Sequence, residues 1–312
     1  MRVFHGIQSL HSIKNPVLTI GTFDGVHLGH QRIIQQLNSE AAKIDGESVL
    51  FTFEPHPRMV LDPQHHGIKL IQSQEEKIAS LDNFGLKNVI LYPFTKDFSN
   101  LTAEEFVEKI LVEKMGVKKL VIGYDHQFGK NREGNLNFLI EKGKQFGFEV
   151  VEIPAQDVDE VKVSSTKVRE AIKTGNIEQA NSFLGHTFLL SGEVIHGNKL
   201  GRTIGYPTAN IHVFNEEKLI PANGVYAVKV ELENGRLYPA MMNIGIRPTI
   251  QGDHRLTIEV HLFDFDADLY GRKLSVHFLR KWRDEQKFSG IEELKAQLKK
   301  DENEIRTFLI PS

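Results

Sequence analysis

Short runs of β-branched and other apolar residues alternate with amphipathic stretches through the first half of the chain. Five such runs occupy residues 17–20, 48–53, 88–92, 119–123 and 148–153. Helical patterns, such as residues 31–43 and 102–114, lie between them. Runs that are apolar on both faces and separated by helices indicate a parallel sheet covered on both sides. The first half is therefore predicted to be a doubly wound α/β domain.

The second half changes to alternating apolar and polar positions, which is typical of strands with one buried face. The strands are predicted at residues 188–195, 225–232, 237–244, 256–263 and 273–279. Asn234 and Gly235 lie between two of these runs, and this dipeptide is favoured by a two-residue type I′ hairpin. Antiparallel strands of this number indicate a small β-barrel.

Helical patterns follow each half. Residues 164–184 predict one or two short helices broken at Gly175 and Asn176. Near the end, Ser289 and Glu292 have the spacing of a capping box, and apolar residues follow at helical intervals, which predicts a C-terminal helix packed on the barrel. A chain of 312 residues suits about two domains of roughly 150 residues. We place the boundary between domains 1–184 and 185–312.

Charge and cysteine content exclude several classes of function. The chain has 38 Lys and Arg against 41 Asp and Glu, a net charge of −3, so no global positive field attracts nucleic acid or anionic lipid. The absence of cysteine excludes disulfides, thiolate metal sites and a cysteine nucleophile, and it fits a reducing cytoplasm.

Targeting signals are not expected either. The first ten residues include Arg2, His5 and Gln8 and lack the apolar core of a secretion signal. No stretch approaches the ~18 apolar residues that span a bilayer. We therefore expect a cytoplasmic protein with neither a membrane nor a nucleic acid as partner.

The first candidate site is the segment at residues 20–30, Ile-Gly-Thr-Phe-Asp-Gly-Val-His-Leu-Gly-His. It leads from the first predicted strand into a helix, where the N–H groups of a helix N-terminus favour phosphate. His27 and His30 add side-chain donors, and such a site suits nucleotidyl transfer. A lone pair of histidines at this spacing is more often a surface feature, but the complete segment with its glycines favours a ligand site.

Three other motifs follow strands of the same domain. Residues 163–169 read Val-Ser-Ser-Thr-Lys-Val-Arg, with Lys162 directly before them. Either hydroxyl, Ser165 or Thr166, could simply be a helix N-cap, whereas Lys162 and Arg169 supply the cations that a triphosphate needs. Residues 52–57 and 123–129 follow two further strands. The carboxyl edge of an open α/β sheet is where ligands bind, so the four motifs are expected to meet there.

The second candidate site is the glycine-rich segment at residues 192–210. It is not a Walker A loop, because Gly197 to Thr203 is one residue short and has Arg where the Lys should be. Glycine-rich segments beside strands are usually turns. Thr208 and Asn210, however, point to one side if the segment is extended, and their oxygens suit Mg²⁺.

Glu259 is the candidate proton acceptor of this second site. The alternation at residues 257–262 places Glu259 and His261 on the face opposite Ile258, Val260 and Leu262. From this strand alone, a glutamate that faces solvent is the simpler interpretation.

The motifs of the first half together resemble the adenylyltransferase module of bacterial bifunctional FAD synthetases, which belongs to the His-x-Gly-His nucleotidyltransferases. The second half is similar to the riboflavin kinase barrel of the same enzymes through residues 192–210, 224–227, 243–249, 259–262, 268–271 and 283–288. The resemblance implies two steps, in which ATP phosphorylates riboflavin to FMN and a second ATP adenylylates FMN to FAD. ATP, riboflavin and FMN would be the substrates and Mg²⁺ the metal ion.

The resemblance also implies roles for single residues of the first half. His27, His30 and Arg169 would act on the ATP phosphates. Further contacts to that ATP are implied for Gly21, Phe23, Asp24, Gly29, Lys162, Ser165 and Thr166. Flavin contacts are implied for His56, Pro57, Asp125 and Phe128.

In the second half, Glu259 is implied as the base for the terminal ribityl hydroxyl, and Thr208 and Asn210 as the magnesium ligands. The glycine-rich segment would cover the ATP phosphates through Gly197, Lys199, Gly201 and Arg202. Flavin contacts are implied for Asn243 and Arg283.

Other functions remain open on the sequence alone. One module could be inactive, or the first could transfer nucleotidyl groups to a different phosphorylated alcohol. The β domain could also be a barrel that binds flavin or nucleic acid without turnover, because a fold does not fix a function.

Overall fold

The computed structural model describes residues 1–8, 13–62, 68–123, 127–153, 163–197, 200–248 and 254–309. The chain forms two compact units. The first comprises Met1–Lys69 and Gln74–Ser164, and the second comprises Leu70–Ser73 and Ser165–Ser312. The predicted boundary after residue 184 separates functional modules rather than compact units. It stays a prediction.

The first unit is built on a six-stranded parallel sheet. Its strands are β1 (Arg2–His5), β2 (Pro16–Ile20), β3 (Glu47–Glu54), β4 (Asn88–Pro93), β5 (Lys119–Gly123) and β6 (Glu149–Ile153). They lie in the order β1-β4-β3-β2-β5-β6, and every neighbouring pair is parallel. The prediction of a parallel sheet is confirmed.

Helices cover both faces of this sheet. They are α1 (Leu28–Lys43), α2 (Pro57–Leu61), α3 (Gln74–Asn83), α4 (Lys96–Ser99), α5 (Ala103–Glu105), which continues as a π-helix (Phe106–Val112), and α6 (Leu136–Phe146). A 3₁₀ turn spans Lys130–Arg132. Neighbouring strand residues, such as Val17 and Leu18 or Leu50 and Phe51, belong to two different hydrophobic clusters. The sheet is therefore buried on both sides, as its apolar runs predicted.

The edge strand β1 was not predicted. It has four residues, three of them exposed, and pairs with β4 from Arg2 opposite Asn88 to His5 opposite Leu91. A short exposed edge strand lacks the apolar signal on which the sequence prediction depends.

The main segment of the second unit opens with two short helices, α7 (Ser165–Lys173) and α8 (Ile177–Leu184). They are separated where predicted, because Gly175 has a φ of +79° and Asn176 caps the second helix by accepting a hydrogen bond from the backbone N–H of Gln179. The helices lead directly into a barrel.

The barrel is closed by six antiparallel strands in the order β10-β11-β8-β7-β12-β9. The elements are β7 (Phe188–Ile195), α9 (Leu200–Thr203), β8 (Ala209–His212), β9 (Gly224–Glu231), β10 (Leu237–Pro248), β11 (His254–Leu262), β12 (Lys273–Arg283) and the C-terminal helix α10 (Ile291–Leu309). The predicted antiparallel barrel is confirmed. The short strand β8 was expected only as an extended segment.

Two details of this unit differ from the prediction. Strands β9 and β10 pair as expected, but only Gly235 of the Asn-Gly dipeptide has a positive φ, so the turn is not type I′. At the start of α10, Ser289 bonds through its N–H and Oγ to the carboxylate of Glu293 rather than Glu292. The sequence identified both places. The turn type at Asn234 and Gly235 and the bonding partner of Ser289 differ from the prediction.

Helix α10 packs on the barrel as predicted. Ile305 and Leu309 lie in one buried cluster with Val225, Met241 and Phe263. Within the described part of the chain, no helix is both long and apolar enough to cross a bilayer.

Candidate active sites

The loop between β2 and α1 has an unusual backbone. Phe23 and Val26 have φ values of +49° and +39°, and Gly25 has +90°. Positive φ is costly for a bulky or β-branched residue and persists only where the surroundings enforce it. Both side chains are buried in the unit's core, which holds the loop in this conformation. Strain of this kind at a strand-to-helix turn is common at functional sites.

His27 and His30 lie together at the N-terminus of α1. His27 caps the helix, since its Nδ1 accepts a hydrogen bond of 3.4 Å from the backbone N–H of His30. The neutral His27 ring therefore carries its proton on Nε2. The two rings stack at 3.7 Å, and His30 also stacks on Phe23 at 4.5 Å. The structure thus brings three predicted site residues into one stack at a helix N-terminus.

Two predicted glycines leave room for this stack. A Cβ at Gly29 would lie 3.2 Å from Cε1 of His27, and one at Gly21 would lie 2.9 Å from Cε2 of Phe23. Side chains at either position would push against the rings. The neighbouring Asp24 is buried, with 4% of its surface exposed.

Lys77 on α3 is a residue that the sequence analysis missed. Its Nζ lies 3.4 Å from the backbone oxygen of Thr22 and 3.4 Å from Oγ1 of Thr52. Burial lowers the pKa of Lys77, and the nearby carboxylates of Asp24 and Glu54 oppose that shift. The ammonium thus connects the strained loop with the end of β3.

Two predicted flavin contacts lie at the carboxyl end of β3. His56 caps α2, since its Nδ1 accepts a hydrogen bond of 3.2 Å from the backbone N–H of Arg58, and Pro57 is the first residue of that helix. Phe128 packs among core aromatic rings, with centroids 5.6 Å from Phe106 and 6.2 Å from Phe138.

The remaining residues predicted for the first site belong to the second unit or lie outside the described residues. Ser165 and Thr166 open α7, and Arg169 lies one turn later; all three belong to the second compact unit. Asp125, Lys162 and, for the second site, Lys199 lie outside the described residues.

Among the described residues of the barrel, Thr208 lines two cavities. The larger, about 560 Å³, is also lined by Arg202, Asp268 and Tyr270. The smaller, about 300 Å³, has a more apolar wall. Its polar lining residues include Asn210, Asn243, Glu259, His261, Arg283 and Glu285. Thr208 therefore lies in the walls of both cavities.

Strand register aligns the polar residues of the smaller cavity. Glu259 of β11 lies directly opposite Asn210 of β8 and Asn243 of β10. Directly opposite residues project from the same face of a sheet. A carboxylate and two amides thus form a row across three neighbouring strands.

The glycine-rich segment lies against this row. A Cβ at Gly197 would overlap the side-chain amide of Asn210. One at Gly201 would overlap the backbone oxygen of Tyr206 and lie 3.3 Å from Oγ1 of Thr208. The two predicted phosphate-covering glycines are therefore in contact with the predicted metal-binding segment.

The donors at Thr208 and Asn210 fit a hard cation that keeps other ligands. They are a hydroxyl and an amide oxygen, the types of ligand that Mg²⁺ accepts while it retains water and phosphate oxygens. Among the described residues, no group of three or more His, Asp or Glu side chains forms a metal cage. Two protein donors would be sufficient if phosphate oxygens of the substrate supply the other ligands of the metal ion.

Arg283 lines the smaller cavity, and its charge is paired. Its Nη2 and Nε lie 2.7 and 2.9 Å from Oδ2 of Asp301 on α10, whose side chain is 1% exposed. This buried bidentate pair fixes the end of β12 against α10. It also keeps the chain between them next to the cavity.

Comparisons with known proteins match each half of the chain to a protein family. The family model of FAD synthetase matches residues 10–167, and that of riboflavin kinase matches residues 184–309. A bifunctional riboflavin kinase/FMN adenylyltransferase of Listeria monocytogenes is 41% identical and covers 94% of this chain and 92% of its own. The protein of the same name from Escherichia coli K12 is 39% identical, covering 99% of this chain and 98% of its own.

A solved structure is similar over nearly the whole chain. It is described as a macrolide-efflux protein from Streptococcus pneumoniae, is 34% identical, and has a TM-score of 0.88 with 98% of this chain and 99% of that chain covered. The order of the two family matches and the full-length relatives agree with the resemblance seen in the motifs. The chain belongs to the family of bifunctional riboflavin kinase/FMN adenylyltransferases.

Proposed function

We propose that the barrel phosphorylates riboflavin at the junction marked by Thr208, and that the loop before α1 carries out the adenylylation of FMN. The chain is an enzyme of flavin cofactor biosynthesis, with ATP, riboflavin and FMN as substrates. The observation that carries the assignment in the barrel is that Thr208 lines two cavities, with Glu259 in the smaller one. ATP occupies the larger cavity and riboflavin the smaller.

In the kinase step, the terminal ribityl hydroxyl of riboflavin attacks the γ-phosphorus of ATP. The new O–P bond forms as the bond to the β-phosphate oxygen breaks, and ADP leaves. Glu259 accepts the hydroxyl proton, and Asn210 and Asn243, which lie opposite it, keep the row polar. Because Glu259 lines this cavity, its position supports a role as proton acceptor more strongly than the strand pattern alone did.

Thr208 and Asn210 would hold Mg²⁺, and the ion would neutralise charge on the ATP phosphates. Gly197 and Gly201 let the backbone of the covering segment approach those residues closely. Arg202 lines the larger cavity, where a guanidinium favours phosphate. Lys199 of the same segment is proposed as a further phosphate contact.

In the adenylylation step, a phosphate oxygen of FMN attacks the α-phosphorus of a second ATP, and pyrophosphate leaves. The reaction needs no enzyme nucleophile, so charge stabilisation and positioning are sufficient. His27 offers its Nε2–H, and His30 lies beside it at the positive end of α1. Gly21, Phe23, Asp24 and Gly29 shape this loop.

The remaining contacts of this step are proposed from their place in the motifs. Ser165, Thr166 and Arg169 of α7, together with Lys162, form a second phosphate clamp. Flavin contacts are proposed for His56, Pro57, Asp125 and Phe128 in the adenylylation step, and for Asn243 and Arg283 in the kinase step.

We propose a cytoplasmic location, without nucleic acid or membrane partners. The net charge of −3 and the absence of cysteine support this proposal.

The test is to incubate the purified chain with riboflavin, ATP and Mg²⁺ and to separate the flavins by chromatography over time. FMN appears first and FAD follows. Glu259→Gln stops FMN formation and still converts added FMN to FAD, whereas His30→Ala makes FMN that accumulates. Flavin binding without turnover by the unmodified chain would instead support a binding barrel. FMN formation by Glu259→Gln would show that Glu259 is not the proton acceptor of the kinase step.

A further inference from the structure

His261 lies two residues from Glu259 on β11 and so projects from the same face of the strand. Its Nδ1 lies 2.7 Å from the backbone oxygen of Pro207. A carbonyl oxygen only accepts hydrogen bonds, so the proton of this bond belongs to Nδ1 of His261. The imidazole is therefore a donor to the segment that carries Thr208.

This hydrogen bond lies where the ladder between β8 and β11 stops. The paired residues are Glu259 with Asn210 and Val260 with Ala209. Pro207 lies beyond them and has no N–H to continue a ladder. Thr208 thus lies between Ala209, the last paired residue of β8, and Pro207, which accepts the hydrogen bond of His261.

The imidazole ring is itself held in place. Its centroid lies 5.3 Å from the ring of Tyr206 and 5.9 Å from that of Phe263, both in edge-on contact. Burial, and after it the nearby carboxylate of Glu302 on α10, raise the pKa of Tyr206. The ring and its donor nitrogen therefore have a defined direction toward Pro207.

We infer that His261 is a positioning residue for phosphoryl transfer, whose Nδ1–H holds Pro207 so that Thr208 stays at the junction of the two cavities. It acts through the backbone on the hydroxyl of Thr208, which together with Asn210 must face Glu259. The inference rests on the proposed roles of those three residues. A displacement of about 1 Å at such a position can lower the rate of a transfer step about a hundredfold.

The substitutions of His261 can separate hydrogen-bond donation from proton transfer. His261→Asn keeps an N–H near the place of Nδ1 but has no basic nitrogen. His261→Gln places its amide near the position of Nε2, and His261→Leu removes every donor. His212→Leu is the matched control, because His212 is an exposed histidine of the neighbouring strand β8 and lines neither cavity.

The measurements are kcat and KM for FMN formation, the Mg²⁺ concentration at half-maximal rate, and the conversion of added FMN to FAD by the same preparations. We expect His261→Leu and His261→Gln to lower kcat for FMN formation by about tenfold or more and to raise the Mg²⁺ requirement. His261→Asn should stay within about threefold of the unmodified chain. FAD formation from FMN reports the active first unit in every sample, and the fluorescence of Trp282 on β12 reports whether the barrel is folded.

Two results would overturn the inference. If His261→Asn is as slow as His261→Leu, the imidazole does something that a donor alone cannot do. If His261→Leu keeps its kcat and its Mg²⁺ requirement, the hydrogen bond to Pro207 has no part in the reaction. Activity that survives in Glu259→Gln or Thr208→Val would instead show that the proposed kinase site is wrong, which separates that failure from these two.

Discussion

Nζ of Lys218 donates a hydrogen bond of 2.7 Å to the backbone oxygen of Ile71, although Lys218 is only 2% exposed. The same ammonium donates to the backbone oxygen of Leu189 at 2.6 Å and lies 4.7 Å from the ring centroid of Phe188. A buried charge needs such partners, because desolvation without them is costly. The lysine therefore attaches the Leu70–Ser73 segment to the first strand of the barrel.

Lys218→Met should destabilise the second unit, because it leaves two buried carbonyl oxygens without this donor. Hydrogen bonds to charged groups contribute about 1.5–3 kcal/mol each, so we expect a loss of about 2 kcal/mol or more in the free energy of unfolding. The only tryptophan of the chain, Trp282, lies on β12 of this unit, so its fluorescence in urea reports the transition. Lys299→Met, at an exposed position of α10, is the control and should change the value by less than about 0.5 kcal/mol.

Lys77→Met should slow adenylylation selectively. The substitution removes the cation that contacts both the backbone oxygen of Thr22 and Oγ1 of Thr52, and it leaves Asp24 and Glu54 without their compensating charge. We expect conversion of FMN to FAD to fall about tenfold or more, while riboflavin is still phosphorylated at the normal rate. Chromatography of both reactions in one preparation measures this ratio.

Lys96→Met is the control for Lys77, because Lys96 is an exposed lysine of the same unit. It should leave both rates unchanged. Equal loss of both activities in Lys77→Met would indicate general unfolding and contradict the selective role.

The sequence predicted elements with a strong periodic signal and failed where geometry is set by tertiary contacts. The runs at β2 and β3 are apolar on both faces, so a buried parallel sheet followed from them. A lone lysine in an amphipathic helix, such as Lys77, is indistinguishable from a solvated one until the fold brings Thr22 and Thr52 to it. The same holds for Lys218, whose partner Ile71 lies 147 residues earlier in the chain.

The two candidate sites differ in how much of their geometry the sequence could predict. The sequence could place His27 and His30 together because they are three residues apart at a helix N-terminus, and their rings do stack there. The alignment of Glu259 with Asn210 and Asn243 depends on the register of three strands, which periodicity alone does not give.

Gly197→Ala should strongly slow the kinase reaction while leaving adenylylation intact. The added methyl group would occupy the space of the Asn210 amide, so either that side chain or the covering segment must move. We expect FMN formation to fall about a hundredfold, since the amide proposed to bind Mg²⁺ and the segment proposed to cover the phosphates are displaced together. The rate of riboflavin phosphorylation, measured beside that of FMN adenylylation, checks this expectation.

Gly290→Ala is the matched control, because an added Cβ there meets no atom within 4 Å and the backbone is unstrained. Both activities should be unchanged in this variant. A kinase rate for Gly197→Ala within about threefold of normal would mean that the segment does not need its close approach to Asn210.

Glu40 on α1 should make the first unit sensitive to acid. Its side chain is 5% exposed and lies 2.5 Å from Nζ of Lys43 and 3.1 Å from Nζ of Lys119, and these lysines hold the pKa of Glu40 below the usual 4.5. A carboxylate with a lowered pKa in the folded state stabilises the fold above pH 4.5, and this contribution is lost as pH falls through the folded-state pKa. Glu149 also pairs with Lys119, and the carboxylates of Glu149 and Glu40 raise the pKa of that lysine.

The measurement is thermal unfolding by circular dichroism between about pH 7 and pH 3 for the unmodified chain and for Glu40→Gln. At neutral pH, Glu40→Gln should melt at a lower temperature, because an uncharged amide pairs less well with two ammonium groups. The difference should shrink as the pH falls below 4.5, because protonation removes the charge of Glu40 in the unmodified chain as well. Glu141→Gln, at an exposed position of α6, controls for the loss of one carboxylate. A gap in melting temperature that stays constant across this range would show that the ion pairs with Lys43 and Lys119 do not contribute to stability.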